Sequence, residues 1–186
     1  MSSTHDYIKD SRNENVQIFV NGKFYHRLAA KISVMDSGYL LGDGIWEGLR
    51  LYKNILIHLD DHLDRLYNGA NTIAIEIPLT KEEMKEAIFE TIKTNNMESD
   101  VHIRLIVSRG IKETPYQNPK VTISPPSIVI IPEYKKANEN VKRNGITLGT
   151  VNTIRDHRVQ DPQINSLSKH NCISACIEAN NLGVDE

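Results

Sequence analysis

The clearest chemical signal in the sequence is an alternation in which Val101, Ile103, Leu105 and Val107 are apolar and His102, Arg104, Ile106 and Ser108 fall between them. Side chains alternate across a strand, so one face of this segment packs while the other can aim an imidazole and a guanidinium into a site. The stretch from Ile111 to Pro126 then carries Pro115, Pro119, Pro125 and Pro126, a long loop of the kind that usually borders function. Taken one at a time, the other candidate groups read plainly. Arg65 beside Asp61 and Asp64 is a solvated ion pair, Arg158 a surface charge and Trp46 a core side chain. The glycines around Trp46 say only that the backbone turns tightly there. Cys172 and Cys176, four apart, lack the CxxC spacing of redox or zinc sites and read as reduced helix residues; no metal-ligating set stands out.

The elements that must position these groups are legible. Val16 to Val20, Asn21-Gly22 and Lys23-Phe24-Tyr25 form a hairpin signal, and Leu49 to Tyr52 and Ile55 to His58 flank a weaker turn at Lys53-Asn54. Leu59, Leu63, Leu66, Tyr67, Ala70 and Ile73 recur at helical spacing, with Asp60, Asp61 and Asp64 on the polar face. Thr80 and Glu83 have capping-box spacing ahead of the stripe Met84, Ala87, Ile88 and Ile92, and that helix should end near Asn95-Asn96. Ser127 to Ile131 reads as an apolar strand, Ile146 to Val151 as another, and Cys172 to Leu182 as a helix stopped by Gly183.

These elements predict an α+β fold. Residues 1–15 form a polar tail and 16–132 a small α/β domain with a mostly antiparallel sheet and two helices. A charged connection at 133–144 leads to 145–186, the first strand and helix of a second, larger domain that is incomplete here. The chain of 186 residues, 39% hydrophobic, is long enough for a real core. A near balance of 22 basic and 24 acidic residues, with no long like-charge block, argues against nucleic-acid and membrane-surface partners. There is neither an apolar signal segment nor an 18-residue apolar run, which points to a cytoplasmic protein.

Three segments together carry a family resemblance. Gly38 to Arg50, reading GYLLGDGIWEGLR, His62-Leu63-Asp64-Arg65-Leu66, and Pro162 to Ser168 with Glu178-Ala179 and Gly183-Val184-Asp185-Glu186 resemble the class IV aminotransferases, of the branched-chain or D-amino-acid kind, over their N-terminal portion. The resemblance implies pyridoxal 5'-phosphate as cofactor and amino transfer between an amino acid, first of all a branched-chain or other hydrophobic one, and a 2-oxo acid. It also implies a homodimer or higher homo-oligomer. Arg65 would bind the cofactor phosphate, a task that suits a permanently charged planar fork. Arg158 matches an arginine near the cofactor lysine, and Trp46 an aromatic near cofactor and substrate. His102 and Arg104 match the branched-chain pocket, and Arg109 a substrate-carboxylate position of D-amino-acid relatives.

One departure is chemical. The family's Schiff-base lysine falls at position 165, where this chain has Asn165, and an amide cannot form an imine with an aldehyde. Lys169 lies four residues on; were the helix already under way, it would stand one turn away with its side chain leaning back, and could take over as the imine-forming amine. The competing functions are a lyase of the aminodeoxychorismate type and a non-catalytic relative. An N-terminal piece of such a fold is also expected to be poorly soluble or to need a partner.

Overall fold

The computed structural model describes residues 8–158 and 161–186, which divide into two compact units. The first comprises Asp10–Lys135 and Ile164–Ser168; the second is built from 136–163 and 169–186, together with the two described residues ahead of Asp10.

The first unit is a six-stranded sheet in the order β2-β1-β6-β5-β3-β4, antiparallel at every pairing. Strands β1 (Gln17–Val20) and β2 (Lys23–His26) meet at Asn21 and Gly22, with φ of 48° and 85°. Positive φ at both turn residues matches the twist of a hairpin, which is why Asn-Gly signals one. Lys53 and Asn54 do the same without glycine, at φ 48° and 62°, between β3 (Gly44–Tyr52) and β4 (Ile55–Leu56). Strand β5 (Val101–Ser108) begins and ends where the alternation does, and β6 (Ser127–Tyr134) runs three residues past the expected Ile131.

Of the helices, α1 (Ser37–Leu41) is a single turn that the sequence reading left out. Its start joins a local cap to distant partners: Asp36 accepts from the Gly38 N–H and, itself buried, from the hydroxyls of Ser108 and Ser127. The expected helices are α2 (Leu59–Thr72) and α3 (Lys81–Thr94), and the Thr80–Glu83 capping box is formed reciprocally. Both lie on one face of the sheet. There Leu63, Leu66 and Ala70 of α2 and Met84, Ala87, Ile88 and Ile92 of α3 bury against Ile45, Leu49, Leu51, Val101, Ile103, Leu105, Val107, Ile128 and Ile130. The period of two in the strands and of 3.6 in the helices thus meet in one core.

In the second unit, α4 (Glu139–Asn144) lies inside the stretch read as a charged connection, and α5 (His170–Leu182) ends at Gly183 with φ 71°. The strand expected at Ile146 to Val151 is not formed. The backbone of these residues bonds only to Asp185 and Glu186, through Asp185 N–H and Glu186 N–H to Thr147 O and Gly149 N–H to Glu186 O. A strand needs a continuous ladder, and three bonds at one spot do not make one. Glu178 of α5 accepts from the Asn152 N–H at 2.7 Å and from the Thr153 hydroxyl, which ties this segment to the helix. Leu148, Ile154, Ile173, Ile177 and Leu182 are exposed. No helix among the described residues is long and apolar enough to cross a membrane.

Candidate active site

Strand β3 pairs with β5 from Gly44 to Leu51 but with β4 only at Leu51 and Tyr52, so its first half presents an open edge. Ile164–Ser168, far along the chain, fills it. Ser166 bridges Ile45, the Trp46 N–H donates to Asn165 O at 2.8 Å, and the Leu167 N–H donates to Gly44 O at 2.9 Å. Ile164 buries in the core. The close approach depends on Gly44, where a Cβ would sit 2.5 Å from Val107 O and 2.6 Å from Leu167 Cδ1. Position 165 is therefore fixed by backbone bonds to the open edge of β3 rather than by a helix.

Beside it, β3 turns one charged residue into the apolar face. Glu47 shares the parity of Ile45, Leu49 and Leu51, and its side chain is 0% exposed. A buried carboxylate requires partners, and Glu47 has four hydrogen bonds. Arg65 Nε donates to Oε1 and Arg65 Nη2 to Oε2, both at 2.7 Å; His62 Nδ1 lies 2.8 Å from Oε2; Asn165 Nδ2 donates to Oε1 at 3.3 Å. His62 and Arg65 reach it because positions three apart share a face of α2. Two acceptors would repel at 2.8 Å, so His62 Nδ1 carries a proton and donates. Burial pushes the Glu47 carboxyl up, but the hydrogen bonds from Arg65 and His62 and the Arg65 charge outweigh it and hold it below the usual glutamate value. The same carboxylate raises the Arg65 pKa. Arg65 is half exposed, and no described group accepts from its Nη1.

A pH effect follows from the direction of that shift. A depressed folded pKa means that Glu47 adds stability above the ordinary glutamate value, about 4.3, and loses it as pH falls through the folded value. Melting temperature measured from pH ~6 down to ~2 should fall on this limb, and Glu47→Gln should flatten it; an unchanged slope in the variant would count against the carboxylate's role.

The other polar candidates lie on the opposite face of the sheet. Pairings of Arg50 with His102, Gly48 with Arg104 and Trp46 with Ile106 bring these side chains together, away from the helices. The Arg104 guanidinium lies over the Trp46 ring, 3.7 Å from its centroid, and burial lowers the Arg104 pKa. The His102 ring occupies the space a side chain at 48 would need: a Cβ there would lie 3.0 Å from its Cε1.

Three sequence candidates stand elsewhere. Arg109 spends four hydrogen bonds inside the fold, two on Asp43 (2.7 and 3.0 Å) and one each on the Ile73 and Ala74 carbonyls (2.8 Å) at the end of α2. Arg158 is exposed and paired with Asp156, two residues away, which explains its raised pKa. Lys169 precedes α5 as its N-cap residue, and residues 164–168 form a β-bridge and bends, so the helical turn assumed between Asn165 and Lys169 is absent. Extended pairing with β3 wins over helix because it satisfies the open edge of that strand. The sequence reading missed Glu47 and His62 as site residues. The signal for Glu47 was present: an acidic residue at the apolar parity of a strand must find a cation.

Comparison with known proteins places this geometry. Residues 44–186 match the model of amino-transferase class IV. A putative branched-chain-amino-acid aminotransferase of Methanocaldococcus jannaschii is 41% identical over 175 residues, covering 92% of this chain and 58% of that protein. A D-alanine aminotransferase of Staphylococcus haemolyticus is 30% identical over 81% of this chain and 53% of its own length. In structure, the chain resembles a branched-chain aminotransferase of the thermophilic archaeon Thermoproteus uzoniensis, crystallised with norvaline, with TM-score 0.78, 26% identity, and coverage of 92% of this chain and 58% of that one. The chain spans under two thirds of the length of these relatives. With the motif segments, the antiparallel sheet and the family match in agreement, this chain belongs to the class IV aminotransferases.

Proposed function

We propose that the protein moves an amino group from a branched-chain or other hydrophobic amino acid to a 2-oxo acid with pyridoxal 5'-phosphate, as a cytoplasmic homodimer or higher homo-oligomer. The observation that carries this reading is Arg65, a half-exposed guanidinium held in one orientation by a buried carboxylate beside position 165. That donor set fits the phosphate end of the cofactor, because a fixed guanidinium with free N–H groups suits an anion. The aldehyde end fits differently, since the Asn165 carboxamide cannot be its covalent anchor. When bound, the cofactor supplies an aldehyde to take the amino group and a ring to spread charge from the substrate carbon. The chain's own groups do the remainder: Arg65 binds the anion, and Trp46 with Arg104 and His102 forms the wall proposed for the substrate side chain and carboxylate. Lys169, four residues after Asn165, is the proposed amine that holds and returns the substrate proton.

A second reading rests on Asn165 itself: a carboxamide bonded to Glu47 favours a protein that binds the phosphate cofactor without turnover. Borohydride treatment of the full-length protein with pyridoxal phosphate, followed by peptide mapping, separates the two. The transaminase reading expects label on Lys169, and Lys169→Ala should lower amino transfer from leucine to 2-oxoglutarate by roughly 10²-fold or more. Label on another lysine, or a variant as active as the parent, would remove Lys169 from the mechanism; binding with neither label nor transfer would leave the second reading.

A further inference from the structure

We infer that Glu47 is the positioning residue of the anion site: its buried carboxylate, acting through Arg65, sets the affinity for the phosphate group. The inference rests on the proposed function only at the phosphate end and is indifferent to which lysine, if any, meets the aldehyde.

A half-exposed arginine on a helix surface samples many rotamers, and binding an anion would have to freeze it each time. Here Nε and Nη2 are both engaged at 2.7 Å by one carboxylate, which fixes the plane of the fork and leaves Nη1 facing away from Glu47. The carboxylate itself cannot drift. It is fully buried on a strand whose first half is flanked by β5 and the 164–168 segment, and its remaining lone pairs are taken by His62 Nδ1 and Asn165 Nδ2. The cation is thus oriented before any ligand arrives. The arrangement also gives Asn165 a role that needs no amine, as a hydrogen-bond donor completing the shell of the carboxylate. A buried acid held by four side-chain bonds, three of them at 2.7–2.8 Å, is a costly way to stabilise a sheet, since well-packed apolar residues of similar volume often do as well. Its use here is placement.

The test is the affinity of the full-length protein for pyridoxamine phosphate, measured by calorimetry. This probe carries the phosphate but no aldehyde, so covalent attachment plays no part. Glu47→Gln keeps the shape but replaces one acceptor oxygen with an amide N–H facing the donors. It should weaken binding by roughly 10- to 100-fold, the value of a charge-assisted hydrogen bond. Arg65→Met should weaken binding at least as much. In the Arg65→Met background, Glu47→Gln should have no further effect, because the carboxylate acts through the arginine. That non-additivity is what a merely structural residue would not produce. Unchanged affinity in Glu47→Gln, or an equal loss in both backgrounds, overturns the inference and leaves the phosphate reading standing. Unchanged affinity in Arg65→Met overturns both. If Glu47→Gln does not fold, Glu47→Asp keeps the charge but withdraws the carboxylate by about 1.5 Å. It should weaken binding at least several-fold, and parental affinity in it overturns the inference.

Discussion

Asn165→Lys is expected to move the borohydride-trapped cofactor from Lys169 to position 165 and to raise amino transfer by roughly 10²- to 10⁴-fold, the range associated with a well-placed proton carrier. The expectation rests on how position 165 is held. Its backbone carbonyl accepts from the Trp46 N–H, the next residue bridges Ile45, and Leu167 donates to Gly44, so the chain direction at 165 is set by β3 and not by the side chain. The asparagine side chain already points a donor at Glu47 Oε1. An ammonium is a donor too, longer and more flexible, so the charged form of the new side chain keeps the carboxylate's shell satisfied, and its neutral form places a nucleophilic amine at the same position. Retention of the label on Lys169, with unchanged turnover, would show that position 165 does not face the aldehyde and would dismantle the site as drawn here.

The second large effect belongs to stability. Arg109→Met should destabilise the fold by about 3 kcal/mol, read as a shift in the denaturation midpoint. The loss is large because four bonds end together and three acceptors are stranded: Asp43, whose side chain is 19% exposed, and the carbonyls of Ile73 and Ala74. Those carbonyls close the C-terminal end of α2, the helix that carries His62 and Arg65, so a guanidinium there also meets the favourable end of the helix dipole. The resemblance to D-amino-acid relatives implied a substrate-carboxylate role for Arg109. The two roles separate cleanly: a variant with the parental midpoint and a raised KM would place Arg109 at the substrate, whereas the bonding seen here requires a lowered midpoint.

Much of the fold was legible because it is written in short-range patterns. The Asn21-Gly22 hairpin, the Thr80–Glu83 capping box and the limits of β5 each depend on a few neighbouring residues and the geometry of one element. Helix α1 was missed because its cap, Asp36, is stabilised by Ser108 and Ser127, which are distant in sequence. The strand expected at Ile146 to Val151 does not form, for the converse reason: β propensity describes how a residue fits a pleated surface, and the ladder that would use it must come from elsewhere.

The sequence by itself determined the family and pointed to part of the candidate chemistry, since the identities and spacings of Arg65, Asn165 and the glycines near Trp46 are local facts. Only the tertiary structure decided how they group. Strand parity sent Glu47 to the buried face and Trp46 to the other, the open edge of β3 drew in Ile164–Ser168, and the helix end recruited Arg109. The physical reason is that an isolated charge has no preferred place in a sequence, but inside a fold it must go where its hydrogen bonds can be met.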